Sequence, residues 1–139
     1  MMTEKIIVTA NIGVQNGPSI GVNRVMEVQA YELIDVEIKT AEPEKSVKLP
    51  STEEGEMLLL AITSNWYEDS KDPDHCVTYK VNASDGEEFI LDQPHLLMGN
   101  SSVTMLDSVP TQLLFSYTKG TTAPDVVKIK ILIGLKVTS

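Results

Sequence analysis

The chain has 139 residues, room for a single domain, 1–139, with a real core. Eleven basic against 20 acidic side chains leave a net charge of −9, which repels phosphate backbones and anionic bilayers, so no nucleic acid and no membrane is expected as a partner. Aromatics are only 5%, so a core must be filled by Val, Ile, Leu and Met, and the one cysteine, Cys76, can form no internal disulfide.

Met1 to Lys5 leads directly into strand-like sequence without an apolar signal region, and no apolar run is long enough to cross a bilayer. The expected location is the cytoplasm or an assembled particle. Ile6 to Ala10 reads as a first strand, and Asn11 to Gly21 follows with the turn signal Asn16-Gly17-Pro18. Gly13, Gly17 and Gly21 match neither G-x-G-x-x-G nor a Gly-Lys-Ser/Thr loop, and a hairpin or loop is the reading.

From Val22 to Ile38 the even positions are mostly apolar, a period of two that predicts one long bent strand or two strands joined near Tyr31-Glu32. Glu32 interrupts the apolar face, so a bend or bulge there is expected, and Arg24 belongs at a strand end. Thr40 to Glu56 is a charged connection in which Val47 to Leu49 makes a small edge strand between Pro43 and Pro50. Met57 to Ile62 divides the local signals. Ser51 with Glu54 resembles a helix capping box, but Gly55 and the β-rich surroundings favour a strand buried on both faces.

Trp66 to His75 is a polar loop, and Val77, Tyr79 and Val81 alternate as a strand. Asn82 to Gly86 turns it, with positive φ expected at Gly86, into a partner strand from Glu87 to Leu91. After the Asp92-Gln93-Pro94 turn come a short strand, His95 to Met98, a turn at Gly99-Asn100, another strand, Ser102 to Leu106, and a turn from Asp107 to Pro110. Gln112 to Thr118 is a strand and Lys119 to Asp125 the last loop. In Val126 to Val137, Val127, Ile129, Ile131, Ile133, Leu135 and Val137 share one side, while Lys128, Lys130, Gly134 and Lys136 take the other. Short strands at such spacing predict an all-β fold, an antiparallel β-sandwich of jelly-roll type.

The chemistry is sparse. His75 and Cys76 adjoin Asp69, Asp72 and Asp74, but one cysteine and two histidines cannot build a structural zinc site. The acidic run lacks the glycine and distal glutamate of a calcium loop and holds Lys71, so no metal and no cofactor is expected. His75 and Cys76 are neighbours, which a strand points to opposite faces, and no G-x-S-x-G elbow is present. His95 would have to reach them from across a sheet, and the chain is read as a non-enzyme. Asn82-Ala83-Ser84 and Asn100-Ser101-Ser102 are read as turn residues rather than glycan acceptors. Trp66 and Tyr67, beside Asp69 and Asp72, are the candidate ligand-binding residues, stacking on a sugar as in a lectin-like module. The favoured competing reading has Trp66 folding back to cap the core.

The order Met57-Leu58-Leu59-Leu60-Ala61-Ile62, Val77-Thr78-Tyr79-Lys80-Val81-Asn82, a short acidic hairpin, Leu96-Leu97-Met98-Gly99, Ser102-Val103-Thr104-Met105-Leu106 and Lys128-Ile129-Lys130-Ile131-Leu132-Ile133-Gly134 covers a little over half of the chain. It resembles the small β-sandwich structural modules of tailed bacteriophages and prophages, which assemble as virion or tail components. The insertion from Trp66 to His75 departs from that pattern, and the resemblance carries over no functional residue. The expectation is a non-catalytic structural protein forming a homo-oligomer, with Leu58, Leu60, Leu132 and Val126 on faces that a lone sandwich leaves wet.

Overall fold

The computed structural model describes residues 3–40, 44–50, 55–67, 77–106, 110–118 and 125–137. The strands are β1 (Glu4–Gly13), β2 (Ser19–Val28), β3 (Ala30–Lys39), β4 (Lys45–Lys48) and β5 (Gly55–Ser64). They continue with β6 (Val77–Val81), β7 (Glu88–Ile90), β8 (His95–Met98), the helical turn α1 (Asn100–Val103), β9 (Gln112–Tyr117) and β10 (Val126–Val137). β1 and β2 form a separate antiparallel hairpin, and the other strands make two four-stranded antiparallel sheets, ordered β3-β10-β5-β8 and β4-β9-β6-β7.

The two-residue rhythm of β10 is realised in full. Val127, Ile129, Ile131 and Ile133 have no exposure, and Leu135 has almost none. Their register partners on β3 include Ile38, Val36 and Ile34, and on β5 Ile62, Leu60 and Met57, so three adjacent strands turn branched apolar rows to one side. The second sheet answers with Val77, Tyr79 and Val81 of β6, Leu113, Phe115 and Tyr117 of β9, and Val47 of β4. The result is one dry layer between two sheets, in the manner of an all-β sandwich. β4 lies at a sheet edge as expected, and Lys45 and Lys48 charge that edge against pairing with another chain.

Met57 to Ile62 is a strand buried on both faces. Its register against β10 shifts between Gly134 and Leu135: Leu59 faces Gly134, Met57 faces Leu135, and Leu58 is left over as a bulge. The bulged Leu58 carbonyl accepts the Gly99 N–H at 2.7 Å. The expectation for Leu60 is corrected: it shares the inner side with Ile62 and is wholly buried in the core, while Leu59 takes the outer side and the bulge brings Met57 inward. Leu58, Leu132 and Val126 are half-buried.

Other expectations shift in place. The bend between β2 and β3 falls at Gln29, whose N–H donates to the Leu135 carbonyl at 2.9 Å, not at Tyr31-Glu32. Glu32 needs no bend of its own, being already exposed at its position opposite Ile133. Ser102 to Leu106 is not a strand but the end of α1 and a following turn. Val103 is fully buried and Leu106 packs against the core three residues later, while Met105 is 79% exposed, so the apolar spacing is that of a helical turn. The loop from Trp66 to His75 is described only as far as Tyr67.

The turn after β6 places its left-handed residue at Asn82, φ 69°, and not at Gly86. Gly86 is required for space instead, since a Cβ there would stand 3.0 Å from the Ala83 carbonyl oxygen. Asn82 repays its conformation by hydrogen bonding: its Oδ1 accepts from the Thr111 N–H at 2.7 Å, the Thr111 hydroxyl at 2.9 Å and the Gln112 N–H at 3.3 Å. Both turn asparagines of the glycan-like triplets thus have structural partners, Asn100 donating its amide to the Met57 carbonyl at 3.5 Å. Asn82→Gly should keep the backbone but lose the side-chain bonds, lowering stability by about 1–3 kcal/mol. Asn82→Ala should cost roughly 1 kcal/mol more for the strained φ. Urea unfolding of the two variants checks the ordering.

Candidate interaction surface

From Ile6 to Asn23 no residue is charged, the longest such run in a chain where 22% of residues carry charge. That run forms most of the β1–β2 hairpin. Its register pairs Ile6 with Met26, Val8 with Arg24, Ala10 with Val22 and Ile12 with Ile20 on one face. The opposite face holds Ile7 with Val25, Thr9 with Asn23 and Asn11 with Gly21. The tip is closed by two bonds, Gly17 N–H to the Val14 carbonyl and Val14 N–H to the Pro18 carbonyl, both 2.9 Å, with Asn16 at φ 60°. Every residue from 11 to 21 is exposed.

The base of the hairpin sits on the outer face of the β3-β10-β5-β8 sheet. A Cβ on Gly134 would lie 2.7 Å from Ile6 Cδ1 and 3.2 Å from Val28 Cγ1, so glycine is what lets the hairpin approach the strand. Val28 and Leu59, each 1% exposed, are buried there on the far side of the sheet from the main core. Beyond this contact the outer face divides. One half is neutral: Leu33 faces Leu132, which faces Ala61, which faces Leu96, and Tyr31 faces Gly134. Tyr31, Leu33 and Leu96 remain 59%, 53% and 46% exposed. The other half pairs opposite charges across strands, Asp35 with Lys130 and Glu37 with Lys128. Two shallow grooves of about 300 and 460 Å³ run along Lys128 and Lys130.

Of the sequence-predicted ligand residues, Trp66 and Tyr67 are half-buried against the core. Trp66 meets Tyr117 edge-on with centroids 6.0 Å apart, and Tyr67 takes the Ser64 N–H on its hydroxyl at 2.8 Å. Ser64 Oγ donates to the Trp66 carbonyl at 2.8 Å. Asn65, their neighbour, accepts the Lys128 N–H on Oδ1 and donates its own N–H to the Lys128 carbonyl, both at 3.0 Å. Asp69 and Asp72, with Asp74, His75 and Cys76, lie outside the described residues. Among the described residues no three His, Cys, Asp or Glu side chains gather as a metal would require, and no helix is long and apolar enough to cross a membrane.

His95 does meet a partner across the sandwich. The Tyr79 hydroxyl and His95 Nδ1 are 2.6 Å apart, joining β6 of one sheet to β8 of the other. Burial raises the Tyr79 pKa far above its usual value, so the phenol keeps its proton beside the imidazole. Burial also lowers the His95 pKa below 6.5, against the opposing charge of Asp92 and a hydrogen bond to the Ile90 backbone. Phe89 stacks on Tyr79 at 5.5 Å and Phe115 tilts against it at 5.7 Å. Tyr79 is fully buried and His95 half-buried, and the pair acts as a pin between sheets.

Comparison with known protein families, curated proteins and solved structures returns no match.

Replacing Gly134 by Val should push Ile6 and Val28 off the sheet at a cost of about 1–3 kcal/mol. Hydrogen exchange should then quicken at the hairpin base while Ile129 and Ile131 keep their protection. For His95 the sign is set by its lowered pKa: the neutral form is favoured on folding, so its contribution is complete above pH 6.5 and is lost as pH falls through the folded value. The melting temperature of the parent chain should therefore drop more steeply below pH 6.5 than that of His95→Gln, as scanning calorimetry at stepped pH would record.

Proposed function

We propose that this chain is a non-catalytic structural protein that assembles with copies of itself, of the kind from which tailed-phage particles are built. The observation that carries the reading is the exposed apolar surface: Ile7, Ile12, Val14, Ile20 and Val25 on the hairpin and Tyr31, Leu33 and Leu96 on the sheet are each more than two-fifths exposed. Contiguous apolar patches of this kind mark interaction sites. Among the described residues, by contrast, Tyr79 is engaged with His95 and Asn82 with Thr111 and Gln112 within the fold.

Strand order supports the same reading. Counted from β3, the eight sandwich strands run 1-8-3-6 in one sheet and 2-7-4-5 in the other, and every connection except β6 to β7 crosses between sheets. That order supports a jelly-roll winding, which is used for viral capsids and also for lectins. The fold alone does not choose between those uses. The sugar-binding alternative relies on Trp66 and Tyr67, both half-buried and packed on the core, and no observation favours it.

Light scattering on the full chain at micromolar concentration should return a multiple of the 15.3 kDa chain mass. A stable monomer across that concentration range would refute self-assembly.

A further inference from the structure

Resting on that reading, we infer that the β1–β2 hairpin is an exchange arm, and that its occupant surface is the neutral half of the outer β3-β10-β5-β8 face on a second copy of this chain. Two copies that each carry −9 repel one another wherever their charged surfaces meet. The uncharged run from Ile6 to Asn23 and the neutral rows around Leu33 and Leu96 are the places where that repulsion is weakest. Both are apolar and both stand open in the same molecule: Ile12 and Ile20 are 63% and 65% exposed, while Leu33 is 53% exposed. The chain's own arm packs on this face around Gly134 and Leu59 and leaves Tyr31, Leu33 and Leu96 exposed.

An isolated two-stranded ribbon is at best marginally stable in water, so a covered arm is the stable state. Neither outer edge of the hairpin is paired with another described strand, and its central stretch lacks the charges that normally guard an edge. The free length of the arm sets the contact. From Val8 to Gly13 the ribbon is ~20 Å long and ~10 Å wide, a face on the order of 200 Å². Reciprocal exchange covers two arms and two receiving faces, about 800 Å², the size of a weak association rather than of a permanent dimer. A two-fold arrangement fills both surfaces at once. Lipid is the poorer occupant, because Arg24 interrupts the apolar face, and the run from Ile6 to Ile12 extends only ~20 Å against a barrel's apolar band of ~25 Å.

The test uses the full chain, the double variant Ile12→Asp/Ile20→Asp and the receiving-face variant Leu33→Asp, all at exposed positions that the fold tolerates. Each variant should keep the parent melting temperature and weaken self-association at least about tenfold in light scattering. In a Cys76→Ser background, chains carrying Ile12→Cys mixed with chains carrying Leu33→Cys should form a mixed disulfide. An oligomer of unchanged mass in the double variant, with no mixed disulfide, would overturn the arm while leaving self-assembly intact. A monomeric parent chain would overturn both. Flotation of a monomeric parent chain with phosphatidylcholine vesicles, abolished in the double variant, would assign the arm to lipid and sink the exchange.

Discussion

The burial of β10 is the constraint on which the molecule turns. A central strand flanked by β3 and β5 must present one parity of side chains to the other sheet, and Val127, Ile129, Ile131 and Ile133 meet that demand without any exposed area. Fully burying each such side chain contributes roughly 1.5–3 kcal/mol, so this one row outweighs any single polar contact in the fold. The other parity then has its duties assigned by default. Lys128 and Lys130 face acidic partners on β3, Leu132 continues a neutral row, and Gly134 admits the hairpin.

How much of this was legible in the sequence depended on the range of the cause. A period of two is a local property, so β10, β9 and β6 were readable from their own residues, as was the turn through Asn16-Gly17-Pro18, while β5 needed its β-rich surroundings to decide it. Choices made by a partner were not readable. Leu60 is expected at a wet face, but pairing with β10 sets it beside Ile133 on the inner side together with Ile62, and the bulge at Leu58 then brings Met57 inward as well. Ser102 to Leu106 alternates plausibly as a strand, yet Val103 and Leu106 are spaced to fill the core from one helical turn. Gly86 offered the usual sign of positive φ, but Asn82 could stabilise the same conformation with bonds to Thr111 and Gln112, which lie far away in sequence.

The candidate surface was half visible. The absence of charge between Ile6 and Asn23 is plain in the letters, and a glycine inside a strand is a known sign of close backbone approach. What could not be seen was that these two features meet, with Ile6 against Gly134. The aromatic candidates failed to stand out for a similar reason: whether Trp66 offers its ring to water or to Tyr117 is settled by a strand about fifty positions on. For His95 the sequence leaves an approach from across a sheet open, and the partner it meets there is Tyr79, a contact that joins the two layers.

The winding of the sandwich also sets when its parts can form. Among the described residues β3 has no sheet neighbour except β10, and β4 none except β9, so the early strands leave the ribosome long before the strands they pair with. Only β1 with β2 and β6 with β7 can close locally. Pairings so distant along the chain pay their loop entropy before any contact rewards it, which makes such topologies slow to fold. The nascent chain therefore carries two ready hairpins and a set of waiting edges, and the β3-β10-β5-β8 sheet is completed last, when β10 enters between β3 and β5.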